Sequence, residues 1–220
     1  MKRFDYVLFD LDGTLTDSCE GIAHAIQVAL EEKGIIIEDR STLYKYAGPP
    51  LYVMFREVAP QFTAQDIEDA TMGYRRYYDA AGWKENAVYP GAEEMLQSLK
   101  QAGLALGTAS SKPEIFVKRI CDYFGLTKYL TYIAGADMEK GRYEKEMVLE
   151  DVLGRLPAGA KERTVLVGDR LYDVEGGHKM GLPVIGVSYG YGGREELAAA
   201  DCDVIVDSFE ELTAYLTEEV

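Results

Sequence analysis

The sequence predicts an α/β fold, a doubly wound parallel sheet interrupted by an inserted α-helical domain. Three observations carry that prediction. From Tyr89 onward, short apolar runs alternate with helix-patterned segments, as in parallel strands covered on both faces. Three runs end in acids or hydroxyls: residues 4–9 lead into Asp10-Leu11-Asp12-Gly13-Thr14, 104–107 into Thr108-Ala109-Ser110-Ser111-Lys112, and 164–167 into Gly168-Asp169-Arg170-Leu171-Tyr172-Asp173. The C-terminal ends of parallel strands lie along one sheet edge, so these groups should meet in one crevice. Finally, between the first run and Gly82 the chain shows helical patterning alone.

The elements follow in order. After strand 4–9, Ser18 is placed to cap a helix reaching about Lys33, with Ile22, Ala25, Ile26, Ala29 and Leu30 on one face. Residues 41–47, 51–58 and 64–80 read as helices, broken at Gly48-Pro49-Pro50 and at Pro60. The inserted helical domain is therefore expected over residues 17–86 and the α/β core over 1–16 and 87–220, with hinges at 16–17 and 86–88. Helix 92–101 should stop at Gly103. Strand 104–108, helix 114–124, strand 132–134, helix 145–153, strand 164–167 and helix 174–180 come next, then strand 184–187, helix 195–200, strand 204–206 and helix 209–216. Tyr189-Gly190-Tyr191-Gly192-Gly193-Arg194 fails the G-x-G-x-x-G dinucleotide pattern, because Glu195 occupies the last glycine position. It reads as a flexible loop.

Composition excludes several classes. A chain of 220 residues with 47% hydrophobic content is long and apolar enough for a packed core. Its formal net charge of -15 repels nucleic acid and anionic membrane, so neither is an expected partner. An anionic substrate would need local cations. Cys19, Cys121 and Cys202 are odd in number and lack C-x-x-C spacing, the pattern of a reduced chain without disulfides or a zinc site. No signal-peptide pattern and no run of about 18 apolar residues is present, and a cytoplasmic location is expected.

Asp10 and Asp12 stand two apart at a strand end and so point to the same side. Repulsion between nearby carboxylates favours one ionised and the other as a proton carrier. That division suits attack on phosphorus by one and protonation of the leaving oxygen by the other. Asp12-Gly13 alone would read as a solvated turn, but the other strand ends add Ser110, Asp169 and Asp173. The set describes a site for a hard cation and a phosphate, hence phosphoryl transfer. A G-x-x-x-x-G-K-[ST] loop is missing, and Cys19 lacks the arginine of a cysteine-phosphatase loop. His24 and His178 read as surface residues, and Lys112, which precedes Pro113, as a helix-capping or surface residue.

Asp10-Leu11-Asp12-Gly13-Thr14-Leu15 resembles the first motif, D-x-D-G-T, of the haloacid dehalogenase-like phosphatases. Ser110 fits the second motif, Lys145 the third, and Gly168-Asp169-Arg170-Leu171-Tyr172-Asp173 the fourth, G-D-x-x-x-D. The resemblance runs over nearly the whole chain and implies a Rossmann-like core with a type-1 helical cap. It implies that Asp10 is a nucleophile forming an aspartyl phosphate and Asp12 the general acid and base. Mg²⁺ would be held by Asp10, the Asp12 backbone carbonyl and Asp169, with Asp173 as a further ligand or support. Ser110, the Ser111 amide and Lys145 would bind phosphate oxygens. Lys140 and Arg142 compete with Lys145, which is preferred because Lys-x-x-Val-Leu heads an apolar-faced helix. The Gly48-Pro49-Pro50 turn and the stretch from Tyr189 to Leu197 are similar to phosphoglycolate phosphatases and 5′-nucleotidase-like relatives. The expected substrate is a small phosphorylated metabolite. Rival readings are a phosphomutase and a non-catalytic phospho-aspartate signalling or binding module; a dehalogenase is disfavoured because Asp12 is present.

Overall fold

The computed structural model describes residues 3–49, 51–137 and 139–218; Pro50 of the expected Gly48-Pro49-Pro50 break lies outside them. The chain divides into two units, Met1–Thr16 with Val88–Val220, and Asp17–Ala87. Two-residue strands, β2 (Thr16–Asp17) and β3 (Ala87–Val88), mark the passages between them.

The first unit holds a parallel sheet of β1 (Tyr6–Phe9), β4 (Ala105–Pro113), β5 (Tyr132–Ala136), β6 (Thr164–Gly168), β7 (Val184–Val187) and β8 (Val204–Val206). Their spatial order is β5-β4-β1-β6-β7-β8. Every residue of β6 and β7 is buried, which is why their sequences are unbroken apolar runs rather than alternating ones. Flanking the sheet are α4 (Ala92–Gln101), α5 (Glu114–Tyr123), α6 (Lys145–Arg155), α7 (Leu171–Lys179), α8 (Gly193–Ala199) and α9 (Phe209–Thr217). Val148, Leu149 and Val152 of α6 and Val174 of α7 pack with Leu8, Ala109 and Leu166 of the sheet in one buried cluster. Strand order reverses at β1, where Phe9 is in register with Thr108 on one side and Val167 on the other. Ligand crevices form outside the strand ends at such a reversal, and Asp10 is the next residue.

Among the boundaries that differ from the sequence expectation, those of β4 and α7 have a clear physical reason. Strand β4 continues past Thr108 to Pro113, with a register shift against β5 between Ser110 and Pro113. The proline disfavours helical backbone at Lys112, so the extended segment carries on until α5 begins at Glu114. Helix α7 starts at Leu171, not at 174, because the Asp173 carboxylate accepts the Asp169 and Arg170 amides at 3.2 and 3.1 Å and so caps the helix early.

The second unit consists of α1 (Cys19–Glu31), a 3₁₀ helix over Arg40–Tyr46 where a helix was expected over 41–47, α2 (Leu51–Val58), α3 (Ala64–Ala80) and a 3₁₀ turn over Gly82–Lys84. Its core includes the Ile22, Ala25, Ile26, Ala29 and Leu30 face of α1. Ser18 does not cap α1 through its side chain; Asp17 Oδ1 accepts the Cys19 amide instead, at 3.1 Å. Thr63 and Asp66 form a reciprocal capping box on α3. His24 is not a plain surface residue: half-buried, its ring meets Tyr77 Oη at 2.6 Å and Glu85 Oε2 at 2.9 Å. His178 is exposed and bonded to Asp203 at 2.9 Å. Among the described residues no helix is long and apolar enough to cross a membrane.

Candidate active site

Asp10 leaves β1 with its amide bonded to the Val167 carbonyl at 2.8 Å, which seats it at the end of the neighbouring strand β6. Lys145 opens α6 and is buried. Its Nζ lies 2.8 Å from Asp10 Oδ1, 2.6 Å from Asp173 Oδ1 and 2.8 Å from the Ala109 carbonyl. Burial works against the ammonium's charge, but Asp10 and Asp173 outweigh it and hold the pKa above the usual lysine value. The rival cations are engaged elsewhere. Lys140 is exposed and pairs with Asp137 at 2.9 Å. Arg142 is buried against Glu114, Asp151 and the Gly135 carbonyl, at 2.8, 2.7 and 3.0 Å.

Asp169 is completely buried. Thr14 donates to its Oδ1 at 3.2 Å and the Tyr191 amide to its Oδ2 at 2.7 Å. Carboxylate oxygens of Asp10, Asp169 and Asp173 lie within 4.8 Å of one another. Burial, then the charges of Asp173 and Asp10, push the Asp169 carboxyl well above the usual range. Asp173 is also raised by burial, with Lys145 opposing and Asp10 adding. One ammonium among three buried carboxylates leaves negative charge uncompensated. An all-oxygen donor set of that kind fits a hard divalent cation.

The Asp12 carboxylate stands outside this group. Its Oδ2 is ion-paired with Lys112 Nζ, and the Lys112 side chain is only 6% exposed. Lys112 is therefore neither a helix cap nor a surface side chain. The extended backbone before Pro113 carries it along the strand end that supplies Ser110. Its spacing of two from Ser110, the same as between Asp10 and Asp12, is the signal by which it could have been found. Ser110 is 2% exposed, and its hydroxyl oxygen accepts the Lys112 amide at 3.3 Å. Ser111 is exposed and is not drawn into the cluster.

The glycine-rich segment after β7 is a wall of the site rather than a free loop. Tyr189 donates its hydroxyl to the Thr14 carbonyl at 3.0 Å, and its ring packs against Tyr89 and Phe209. A Cβ on Gly190 would stand 2.3 Å from Asp169 Cβ and 2.5 Å from the Gly13 carbonyl oxygen. Gly13, at φ +82°, is equally constrained, because a Cβ there would lie 2.2 Å from Asp169 Oδ2. Sequence reading also missed Glu196, which pairs with Arg170 at 2.8 Å and accepts the Leu171 amide at 2.9 Å.

The chain is similar to several known proteins. The family model described as haloacid dehalogenase-like hydrolase matches residues 7–187. A 5′-nucleotidase of Pseudomonas aeruginosa is 36% identical over 197 residues, covering 90% of this chain and 88% of the relative. Tyrosine-protein kinase PtkA of Mycobacterium tuberculosis is 37% identical over 84% of this chain, which spans 62% of that longer protein. A phosphoglycolate phosphatase of Salmonella typhimurium is 30% identical, with coverage of 94% and 90%. Among solved structures, one described as a predicted phosphatase from Clostridium acetobutylicum superposes with a TM-score of 0.88 at 42% identity, covering 96% of each chain.

Proposed function

The chain belongs to the haloacid dehalogenase-like hydrolase family, and from that premise we propose that it is a phosphatase hydrolysing a small phosphomonoester through an aspartyl phosphate on Asp10. The observation that carries the reading is the convergence of Asp10, Asp169, Asp173 and Lys145 at the strand-order reversal. In the first half-reaction an Asp10 oxygen bonds to phosphorus as the bond to the leaving oxygen breaks, and Asp12 gives that oxygen its proton. In the second, Asp12 takes a proton from water as the water bonds to phosphorus. The bond to Asp10 then breaks and inorganic phosphate leaves.

Positioning and charge neutralisation dominate such transfers. Lys145 and the Ser110 hydroxyl are assigned to the non-bridging oxygens, with the Ser111 amide as a third donor. The Ser110 oxygen already accepts the Lys112 amide, which leaves its hydrogen to donate. Asp10, the Asp12 backbone carbonyl, Asp169 and Asp173 are assigned to Mg²⁺, which would supply positive charge between an anionic nucleophile and an anionic ester. With one oxygen on the Asp169 and Arg170 amides and the other on Lys145, Asp173 serves chiefly to fix the site's geometry.

The substrate class in this proposal is a phosphoglycolate-like ester or a nucleoside 5′-monophosphate, which the names of the relatives support. A cytoplasmic setting is part of the same reading, in keeping with three free thiols, and neither nucleic acid nor membrane is a partner. The test is phosphate release from a panel of phosphorylated metabolites with Mg²⁺, for wild type and Asp10→Asn. The variant is expected to be inactive on every ester; turnover at the wild-type rate in Asp10→Asn removes the nucleophile and the reading with it.

A further inference from the structure

We propose that Lys112 is a positioning residue for proton transfer: by tying down Asp12 Oδ2 it makes Oδ1 the oxygen that passes the proton to the leaving group. The inference rests on the phosphatase reading and deepens it.

The ion pair is unusual in its surroundings. The Lys112 side chain is 6% exposed and that of Asp12 17% exposed, and 100 residues separate them in sequence. Lysine is rarely buried to this degree, and a buried ammonium persists only beside a partner that offsets its desolvation. Here that partner is one carboxylate of the site. Lys145 already serves Asp10 and Asp173, so each of the two buried lysines is committed to a different acid of the D-x-D pair.

The two oxygens of Asp12 are not equivalent. Oδ2 faces the ammonium, whereas Oδ1 is buried and has no hydrogen-bond partner among the described residues. An ammonium carries three donors and no acceptor. It cannot share a proton with the oxygen it faces, so when Asp12 carries its proton, that proton sits on Oδ1. The pairing also restricts rotation of the carboxyl group, which otherwise would present either oxygen. Local backbone holds Lys112 in place: Pro113 keeps it extended, and its amide is bonded to Ser110 Oγ at 3.3 Å. A phosphate-binding hydroxyl and a proton-orienting ammonium thus come from one strand end.

The test is a series of substituted phenyl phosphates, alike in shape and graded in leaving-group acidity, from phenyl phosphate to 4-nitrophenyl phosphate. kcat/KM spans the steps through transfer to Asp10, the half-reaction in which the leaving oxygen is protonated. Wild type should vary little along the series. Lys112→Met should lose about 10² on phenyl phosphate, the scale of misplaced acid catalysis, and at least about tenfold less on 4-nitrophenyl phosphate, whose leaving group departs without a proton. Lys112→Arg, which keeps a cationic donor, should flatten the slope again. Should Lys112→Met not fold, Lys112→Gln carries the same expectation with a smaller slope. Losses equal across the series, or no loss, overturn the inference while the phosphatase reading stands. Wild type inactive on every ester overturns both.

Discussion

Lys145 Nζ stands 2.8 Å from Asp10 Oδ1, although 135 residues separate the two in sequence. The same ammonium is 2.6 Å from Asp173 Oδ1, so one buried cation joins the acid that follows β1 to an acid in the first turn of α7. Removing it leaves two carboxylates buried without their partner. Lys145→Met is expected to be inactive and to lose about 3 kcal/mol or more of unfolding free energy, the usual cost of breaking a buried pair from one side. Urea denaturation followed by circular dichroism reads this directly. A midpoint equal to wild type would mean that the pair contributes nothing to the fold.

Asp10, Asp169 and Asp173 gather carboxylate oxygens within 4.8 Å of one another, a donor set that fits a hard divalent cation. Mg²⁺ at about 100 times its dissociation constant should stabilise the fold by about 2.7 kcal/mol, seen as a rise in thermal midpoint that EDTA reverses. Asp169→Asn should abolish the rise. Asp203→Asn, on the exposed His178 pair, should keep it. A full Mg²⁺ response in Asp169→Asn argues for a different ligand set.

Gly190 has no room for a side chain. Gly190→Ala forces a methyl group to 2.3 Å from Asp169 Cβ, and the loop or Asp169 must move. Phosphate release should fall to background and stability by about 1–3 kcal/mol, the range for overpacking. Gly34→Asn is the control: φ is +77° there with nothing within 4 Å of a new Cβ, and asparagine tolerates that backbone. Equal activity in both variants would show that the wall of the site yields.

The α3 cap gives the protein an acid-sensitive element. Thr63, then Lys33, lower the Asp66 carboxyl from 3.8 to about 2. A group depressed on folding adds stability that is complete above the unfolded value and fades as pH falls from 3.8 through about 2. The stability difference between wild type and Asp66→Asn should therefore be constant from neutral pH to about pH 5 and shrink toward pH 3. Denaturation midpoints of both proteins at pH 6 and pH 3 measure it. A difference that grows on acidification reverses the sign and removes Asp66 from this role.

Much of the architecture was legible because local signals agreed. Proline and glycine breaks delimit α2, α3 and α4, whose expected bounds coincide with those observed. The apolar runs of β7 and β8 were likewise read at their observed bounds. What escaped was set by groups far apart in sequence. Asp173 extends α7 backward by capping amides that the periodicity does not report. Lys112 looked peripheral because its partner is 100 residues away. The 189–194 stretch looked flexible because glycines signal freedom in sequence, whereas here Gly190 and Gly192 signal close approach to Asp169.

The position of β1 also bears on biosynthesis. Both of its sheet neighbours come much later in the chain, and β6 is complete only at Gly168. Residues 17–87, a unit with its own internal contacts, are synthesised while Tyr6-Val7-Leu8-Phe9 still waits for its partners. A nascent chain stalled before Gly168 therefore displays an unpaired apolar segment, the kind of intermediate that chaperones retain.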